Sequence, residues 1–324
     1  EIAQCLVGSE MCIRDRSRQK RYFLEPHTGI YRMSGLETEP LKTIQRAEIA
    51  AEFSRNHYME YAVYDEMVEK ETVTGYAMEH EAIHGLMHQE FIMYLQPVVE
   101  MRTGKIMGAE ALVRWQNPGR GLLQPGDFLD VIKRKQLTGK MNMDIFRQGC
   151  RFLKMEADQG RRLQLLFNFT IENVGDEQFS RELDATASQY GIDRDQIVVQ
   201  LNQLVEMSRS HIFMETIKTL RRFGFHICLA GLELDSVFFE YLECGVDSIK
   251  LRHDLIRHVN KPEGQKVIQS VMDFCGELGL KVICMGVENR EQAEYLKSIG
   301  CNYATGFYYY YPVSQDAFDE LENV

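Results

Sequence analysis

The stretch Lys105-Ile106-Met107-Gly108-Ala109-Glu110-Ala111-Leu112-Val113-Arg114-Trp115 reads as one strand carrying a carboxylate, a cation and the chain's only Trp. An acid and an Arg at the C-terminal end of a strand are where an α/β barrel keeps its chemistry. Carboxylates gathered at such ends can hold two cations roughly 3.5–4 Å apart and activate a water for hydrolysis. Hard divalent ions want oxygen ligands for that task.

Alternating strand and helix patterns must position these residues. Strands are expected at 91–99, 105–115, 164–170, 196–202, 226–232, 248–252, 281–287 and 303–309, with helices such as 139–157, 208–223, 263–278 and 289–298. The alternation argues for a parallel sheet covered by helices, and eight strands in this length fit a TIM-like (β/α)8 barrel. No Gly-rich phosphate loop of the Rossmann or P-loop kind occurs. Tyr308-Tyr309-Tyr310-Tyr311 is expected to alternate inward and outward at the last strand, as barrel packing.

Upstream, Gly29 to Met33 suggests a strand, and Glu39-Pro40 opens a helix continued by Leu41, Ile44, Ala47, Ala51 and Phe53. Tyr61 to Asp65 suggests another strand. Residues 67–87 carry charge with scattered apolar positions, the pattern of a connecting helix. On it His80, His84 and His88 share one face, which reads as a solvated or packing face and not a metal stripe. Residues 1–17 include Val7-Gly8-Ser9-Glu10-Met11-Cys12-Ile13-Arg14-Asp15-Arg16, which resembles translated sequencing-adapter DNA, so they are set aside as non-native.

The 324 residues carry a net charge of -11, which argues against a nucleic-acid backbone or an anionic membrane as main partner. No apolar run approaches the roughly 18 residues that span a bilayer. The eight Cys form no C-x-x-C pair, so buried free thiols in a reducing cytosol are the expected state.

Glu110-Ala111-Leu112 followed by Val113-Arg114-Trp115 resembles the signature of the EAL family, and the resemblance runs over residues 88–324. It implies a (β/α)8 barrel that hydrolyses cyclic di-GMP to linear pGpG with two divalent metals. It also implies roles for matching residues. Glu110 and Asn168 are ligands, Lys250 and Glu288 match site positions, and Gln96 and Arg114 match the ligand-binding side. Elsewhere the pattern departs. The Glu-x-Thr-Glu of the family reads Gln200-Leu201-Asn202-Gln203, and the bridging Asp-Asp reads Ala230-Gly231. Lys-x-Asp reads Lys250-Leu251-Arg252, and Ala-Glu-Gly-Val-Glu reads Cys284-Met285-Gly286-Val287-Glu288. The mobile loop of the family is replaced at 232–238, with its glycines gone. Gly286, Gln292, Gly306 and Pro312 keep the structural pattern. Residues 18–66 resemble the C-terminal part of an α+β GGDEF domain, without that family's signature, and as a cut sheet domain are expected to be irregular.

Over the metal-site positions that the resemblance implies, the formal charge sums to zero, with Glu110 and Glu288 facing Lys250 and Arg252. A salt-bridged cluster of Arg252, joined by Lys250, with the two acids is therefore expected in place of metal. The expected organisation is 1–17 non-native, 18–66 partial GGDEF-like, 67–87 linker helix and 88–324 EAL barrel. The favoured function is a catalytically inactive regulatory or interaction module in cyclic di-GMP signalling, cytoplasmic, with a protein partner and a homodimer as candidate associations. No cofactor is expected, and magnesium or manganese enters only with an active phosphodiesterase. A metal-independent cyclic di-GMP receptor is the third reading.

Overall fold

The computed structural model describes residues 11–14, 21–24, 26–35, 39–176, 178–202, 211–231 and 236–322. Most of the segment set aside as non-native, Gln203 and residues 232–235 of the altered loop lie outside the described residues. The chain divides into two compact units, Glu1–Glu81 and Ala82–Val324, with the division inside a helix.

In the first unit β1 (Met11–Arg14) pairs antiparallel with β2 (Arg21–Leu24). β3 (Thr28–Ile30) pairs parallel with β4 (Tyr61–Val63). The helix α1 (Pro40–Asn56) joins the second pair and starts with Pro in its first turn, where a missing N–H costs nothing. Ala50, Phe53, Ala62 and Val68 bury together as its small core. Gly29 is required there, because a Cβ would stand 1.9 Å from the Ala47 carbonyl oxygen. Among the described residues of 18–66 the structure is regular where irregularity was expected: α1 is 17 continuous residues. The helix α2 (Glu66–Met87) follows.

The second unit holds a closed ring of eight strands. They are β5 (Phe91–Glu100), β6 (Ile106–Asn117), β8 (Gln164–Phe169), β9 (Ile197–Asn202), β10 (His226–Ala230), β11 (Ser248–Leu251), β12 (Lys281–Met285) and β13 (Tyr303–Thr305). A short β7 (Gly121–Leu123) extends the sheet beside the far end of β6. The ring is not all parallel: β5 runs antiparallel to both β6 and β13. The reason lies in Met101-Arg102-Thr103-Gly104-Lys105, a hairpin turn too short for the dozen or more residues of a parallel crossover. Gly104 takes φ +74 there, and Glu100 N–H donates to the Lys105 carbonyl at 2.9 Å.

Helices cover the outside: α3 (Pro125–Arg134), α4 (Thr138–Asp158), α5 (Ile171–Val174), α6 (Phe179–Tyr190), α7 (His211–Phe223), α8 (Ser236–Cys244), α9 (His253–Ile256), α10 (Pro262–Glu277), α11 (Arg290–Ser298) and α12 (Gln315–Glu322). Their apolar faces and the outward strand residues form the main core, which includes Phe146, Phe167, Leu201, Ile217, Leu229 and Leu251. Gly149 on α4 admits the Phe167 ring, whose Cζ would lie 2.3 Å from a Cβ.

Inside the ring, side chains stack in layers because alternate strand residues share a face. Val98, Leu166, Val198, Cys228 and Ile283 make an apolar floor, with Tyr303 packed against it. The register places the next inward layer two residues further along each parallel strand and two residues back along the antiparallel β5, through the pairs Gln96 with Glu110, Asn168 with Gln200, Ala230 with Lys250, and Met285 with Thr305. The last strand stops at Thr305, so Tyr308 to Tyr311 do not alternate on a strand. Tyr308 and Tyr311 are exposed, and Tyr309 and Tyr310 half-buried. No helix among the described residues is long and apolar enough to cross a membrane.

Candidate functional site

Six of the eight side chains in that second layer are polar, and those on the parallel strands lie on the carboxyl-end side of the apolar floor. Glu110 is fixed first. Its Oε2 lies 2.6 Å from the Lys250 ammonium, and its Oε1 accepts a 3.0 Å hydrogen bond from Asn168 Nδ2. Gln200 closes the circle: its Nε2 donates to Asn168 Oδ1 at 2.6 Å, and its Oε1 accepts from Lys250 Nζ at 3.2 Å. A longer contact of 3.5 Å joins Gln200 Nε2 to Glu110 Oε1. Four strands thus contribute one residue each to a ring of hydrogen bonds around a single ion pair.

Lys250 is only 2% exposed, so its charge is held almost entirely by Glu110 and Gln200. Burial alone would push the Glu110 carboxyl up; the Lys250 charge, with hydrogen bonds from Lys250, Asn168 and Gln200, overrides it and holds the group below the ordinary glutamate range. A buried pair of this kind is costly to form and more costly to break.

Arg252 takes no part. β11 ends at Leu251, and Arg252 sits before α9 with its side chain 66% exposed, 2.8 Å from Asp254 Oδ2. The expected cluster is therefore corrected: alternation ends with the strand, and of the two cations expected there Lys250 alone pairs with Glu110. Glu288 is likewise outside the ring of hydrogen bonds. It lies past the end of β12, half exposed, with Oε1 3.2 Å from His253 Nε2. Its backbone N–H donates to the buried Gln292 side chain at 2.8 Å. Ala230, Gly231 and Met285 line the mouth without an oxygen to offer in their side chains. Gly231 takes φ +98, and its N–H donates to the Lys250 carbonyl.

Arg114 does not bridge Glu110 to a helix. It is buried, lies on the same face of β6 four residues on, and stacks over the Tyr94 ring at 5.4 Å. Its Nη1 donates to the Val113 carbonyl at 2.8 Å, and among the described residues no carboxylate pairs with it. Burial lowers its pKa, with the neighbouring Tyr94 opposing. Gln96 is turned to the Tyr310 carbonyl, which ties β5 to the segment after β13. Thr305 Oγ1 is buried with no hydrogen-bond partner among the described residues. Thr305 was read from sequence only as the residue in place of the Gln that the resemblance implies on the eighth strand, and Tyr94 and His253 were not among the candidates. Tyr94 had a signal, two positions before Gln96 on the same strand.

The donor set does not suit a two-metal centre. Among its described residues the layer offers one carboxylate, already bound to an ammonium, two amides bound to each other and a third, Gln96, tied to the Tyr310 carbonyl. No group of three His, Cys, Asp or Glu side chains able to hold a metal ion occurs among the described residues. A divalent ion about 4 Å from the Lys250 charge would be repelled by about 8 kcal/mol at an effective dielectric near 20.

A closed barrel with its polar layer at the strand carboxyl ends defines an α/β barrel protein with its candidate site in the usual mouth. The EAL domain family matches residues 80–312, and the chain belongs to that family. It is 27% identical over 245 residues to the cyclic di-GMP phosphodiesterase RocR of Pseudomonas aeruginosa, covering 74% of this chain and 61% of that one. It is 24% identical over 228 residues to the probable cyclic di-GMP phosphodiesterase PdeG of Escherichia coli, covering 69% and 45%. Among solved structures, the EAL enzyme Bd1971 with cAMP and cyclic di-GMP bound superposes with a TM-score of 0.71 at 20% identity, over 78% of this chain and 70% of that one. At that identity the likeness shows the fold. The chain spans less than two thirds of the length of both curated relatives.

Proposed function

We propose that this barrel is a catalytically inactive EAL module that works in cyclic di-GMP signalling as a regulatory or interaction domain. The observation that carries the reading is the 2.6 Å contact between Lys250 and Glu110, closed by Gln200 and Asn168. Hydrolysis of a phosphodiester by two metals needs several carboxylates converging on the cations. Here the one internal carboxylate is neutralised by an ammonium, and the amides complete each other's hydrogen bonds. Fold does not carry activity when the site is absent. The N-terminal residues 18–66, as a GGDEF-like fragment, and the linker helix belong to the same reading.

A specific observation favours a second reading, a metal-independent receptor for cyclic di-GMP. Arg114 keeps a buried guanidinium with no carboxylate partner among the described residues, stacked on Tyr94 beside Gln96. A phosphate oxygen would supply the missing counter-charge. The similar structure of Bd1971 holds cyclic di-GMP, which raises the prior for this ligand.

Calorimetric titration of the full chain with cyclic di-GMP, once with calcium and once with chelator, tests both, alongside a hydrolysis assay with manganese. No turnover with manganese is expected. Turnover to pGpG would overturn the inactive reading. Binding in chelator that is lost in Arg114→Ala would establish the receptor reading. Absence of heat in either buffer would leave the interaction module and turn attention to protein partners.

A further inference from the structure

A second chemistry lies outside the barrel ring, between its wall and its helices. Cys284 is the fourth residue of β12, and Cys301 sits in the turn between α11 and β13. Both face the core that separates sheet from helices, and both are buried, yet their Sγ atoms stand only 3.2 Å apart. Cys301 Sγ also lies 3.2 Å from the Tyr303 carbonyl oxygen. Cys301 is flanked in its turn by Gly300 and Asn302, both exposed, so a small opening of the turn brings its thiol to solvent. A disulfide S–S bond is about 2.05 Å long, so side-chain rotation covering roughly 1 Å would join the pair.

We propose that Cys284 and Cys301 form a reversible redox pair that reacts with peroxide and staples β12 to the start of β13. The first step forms a bond between Cys301 Sγ and one peroxide oxygen while the O–O bond breaks. The departing hydroxide takes a proton and leaves as water, and Cys301 becomes a sulfenic acid. In the second step Cys284 Sγ attacks Cys301 Sγ. The S–S bond forms and the S–O bond breaks, and the released hydroxide takes up the Cys284 proton as water. Two thiols are oxidised by two electrons, and one peroxide is reduced to two waters.

The order of attack follows from the environment of each thiol. Their shared hydrogen bond pulls the two apart in acidity, holding Cys301 down and, together with burial, sending Cys284 well up. Thiolate character decides which sulfur is oxidised first. Burial pushes Cys150 up to about 12, and Cys228 and Cys275 to about 11, which leaves them poor nucleophiles. The staple would act next to the barrel mouth. The Val287 N–H donates to the Thr305 carbonyl at 3.1 Å, and the Tyr308 N–H to Val287 at 2.9 Å. Linking the two strands therefore fixes the segments that carry Met285, Glu288 and the tyrosines.

The test treats the full native chain with hydrogen peroxide, blocks remaining thiols, digests the protein and maps the peptides by mass spectrometry. The expected product is a peptide pair linked through Cys284 and Cys301, reversed by dithiothreitol and formed at least ~10-fold faster than Cys150 or Cys228 is modified. A sulfenic-acid trap should label Cys301 in Cys284→Ser, and give no label at Cys284 in Cys301→Ser. Linkage of Cys284 to Cys275 would overturn the assignment, as would thiols that stay reduced or go straight to sulfinic acid. Because the mapping is done on the wild-type chain, it stands even if a serine variant folds poorly.

Discussion

Lys250 and Glu110 are each tolerable in the barrel only because the other is there. Lys250→Met would leave a buried carboxylate with amide donors alone and should cost about 3–5 kcal/mol. The double variant Glu110→Gln with Lys250→Met keeps an acceptor for Asn168 and removes both charges, so it should recover at least half of that loss. Urea denaturation of the three proteins measures both; a single-variant cost under about 1 kcal/mol would mean the pair contributes little. The same contact sets a pH dependence. Glu110 is held below its unfolded value of about 4.3, so its contribution is present above that pH and disappears as pH falls through the lowered native value. The stability gap between wild type and Glu110→Gln should therefore be widest near pH 7 and narrow below pH 4. A gap that is flat over that range would show that the pair does not titrate with folding. Sequence made Glu110, Asn168 and Lys250 legible as site positions, since each lies on a recognisable strand at a position that the EAL resemblance marks. Gln200 could be read only as a lost acid, because the contacts that make it the closing member span 32 and 50 residues.

Strand ends explain where reading by element succeeded and where it failed. The helix α1 was visible from Pro40 and its apolar spacing, and the strands from their Val, Ile and Phe content. Arg252 and the four tyrosines were misplaced for one reason, that two-residue alternation was carried beyond Leu251 and Thr305, where the strands stop. The reversed direction of β5 had a signal in its five-residue turn, which a strand–helix alternation passes over. Glycines mark the joints that this sheet cannot alter. At Gly306 a Cβ would meet the Val287 carbonyl oxygen at 2.2 Å and its nitrogen at 2.3 Å, both backbone atoms that cannot yield. Gly279 also has positive φ, +70, but open space around it. Gly279→Ala should cost about 1–2 kcal/mol from backbone conformation alone. Gly306→Ala should cost about 3 kcal/mol or more, because β13 must move away from the segment after β12. Equal losses in thermal or chemical denaturation would mean that the β12–β13 joint is softer than its contacts imply.

At the scale of the molecule, the proposed reading sets a mouth held by the Lys250–Glu110 pair where the EAL resemblance implies a charge-dense rim, and this difference can be run backwards. A variant carrying Gln200→Glu, Ala230→Asp, Gly231→Asp, Arg252→Asp and Met285→Glu would add five acids at or just past the strand ends, with Gln200→Glu directly beside Glu110. Without metal these acids repel one another and one must adopt the φ +98 backbone that Gly231 now occupies, which an Asp accepts only with strain. The variant should therefore unfold at a lower temperature than wild type in chelator. Manganese that binds only the folded form would then raise its melting temperature with concentration, by mass action. Wild type, with Lys250 holding the one internal carboxylate, should show no such rise. A melting temperature of the wild-type chain that climbs with manganese would mean a cation displaces the ammonium from Glu110, and the neutral-rim account of this EAL barrel would have to be abandoned.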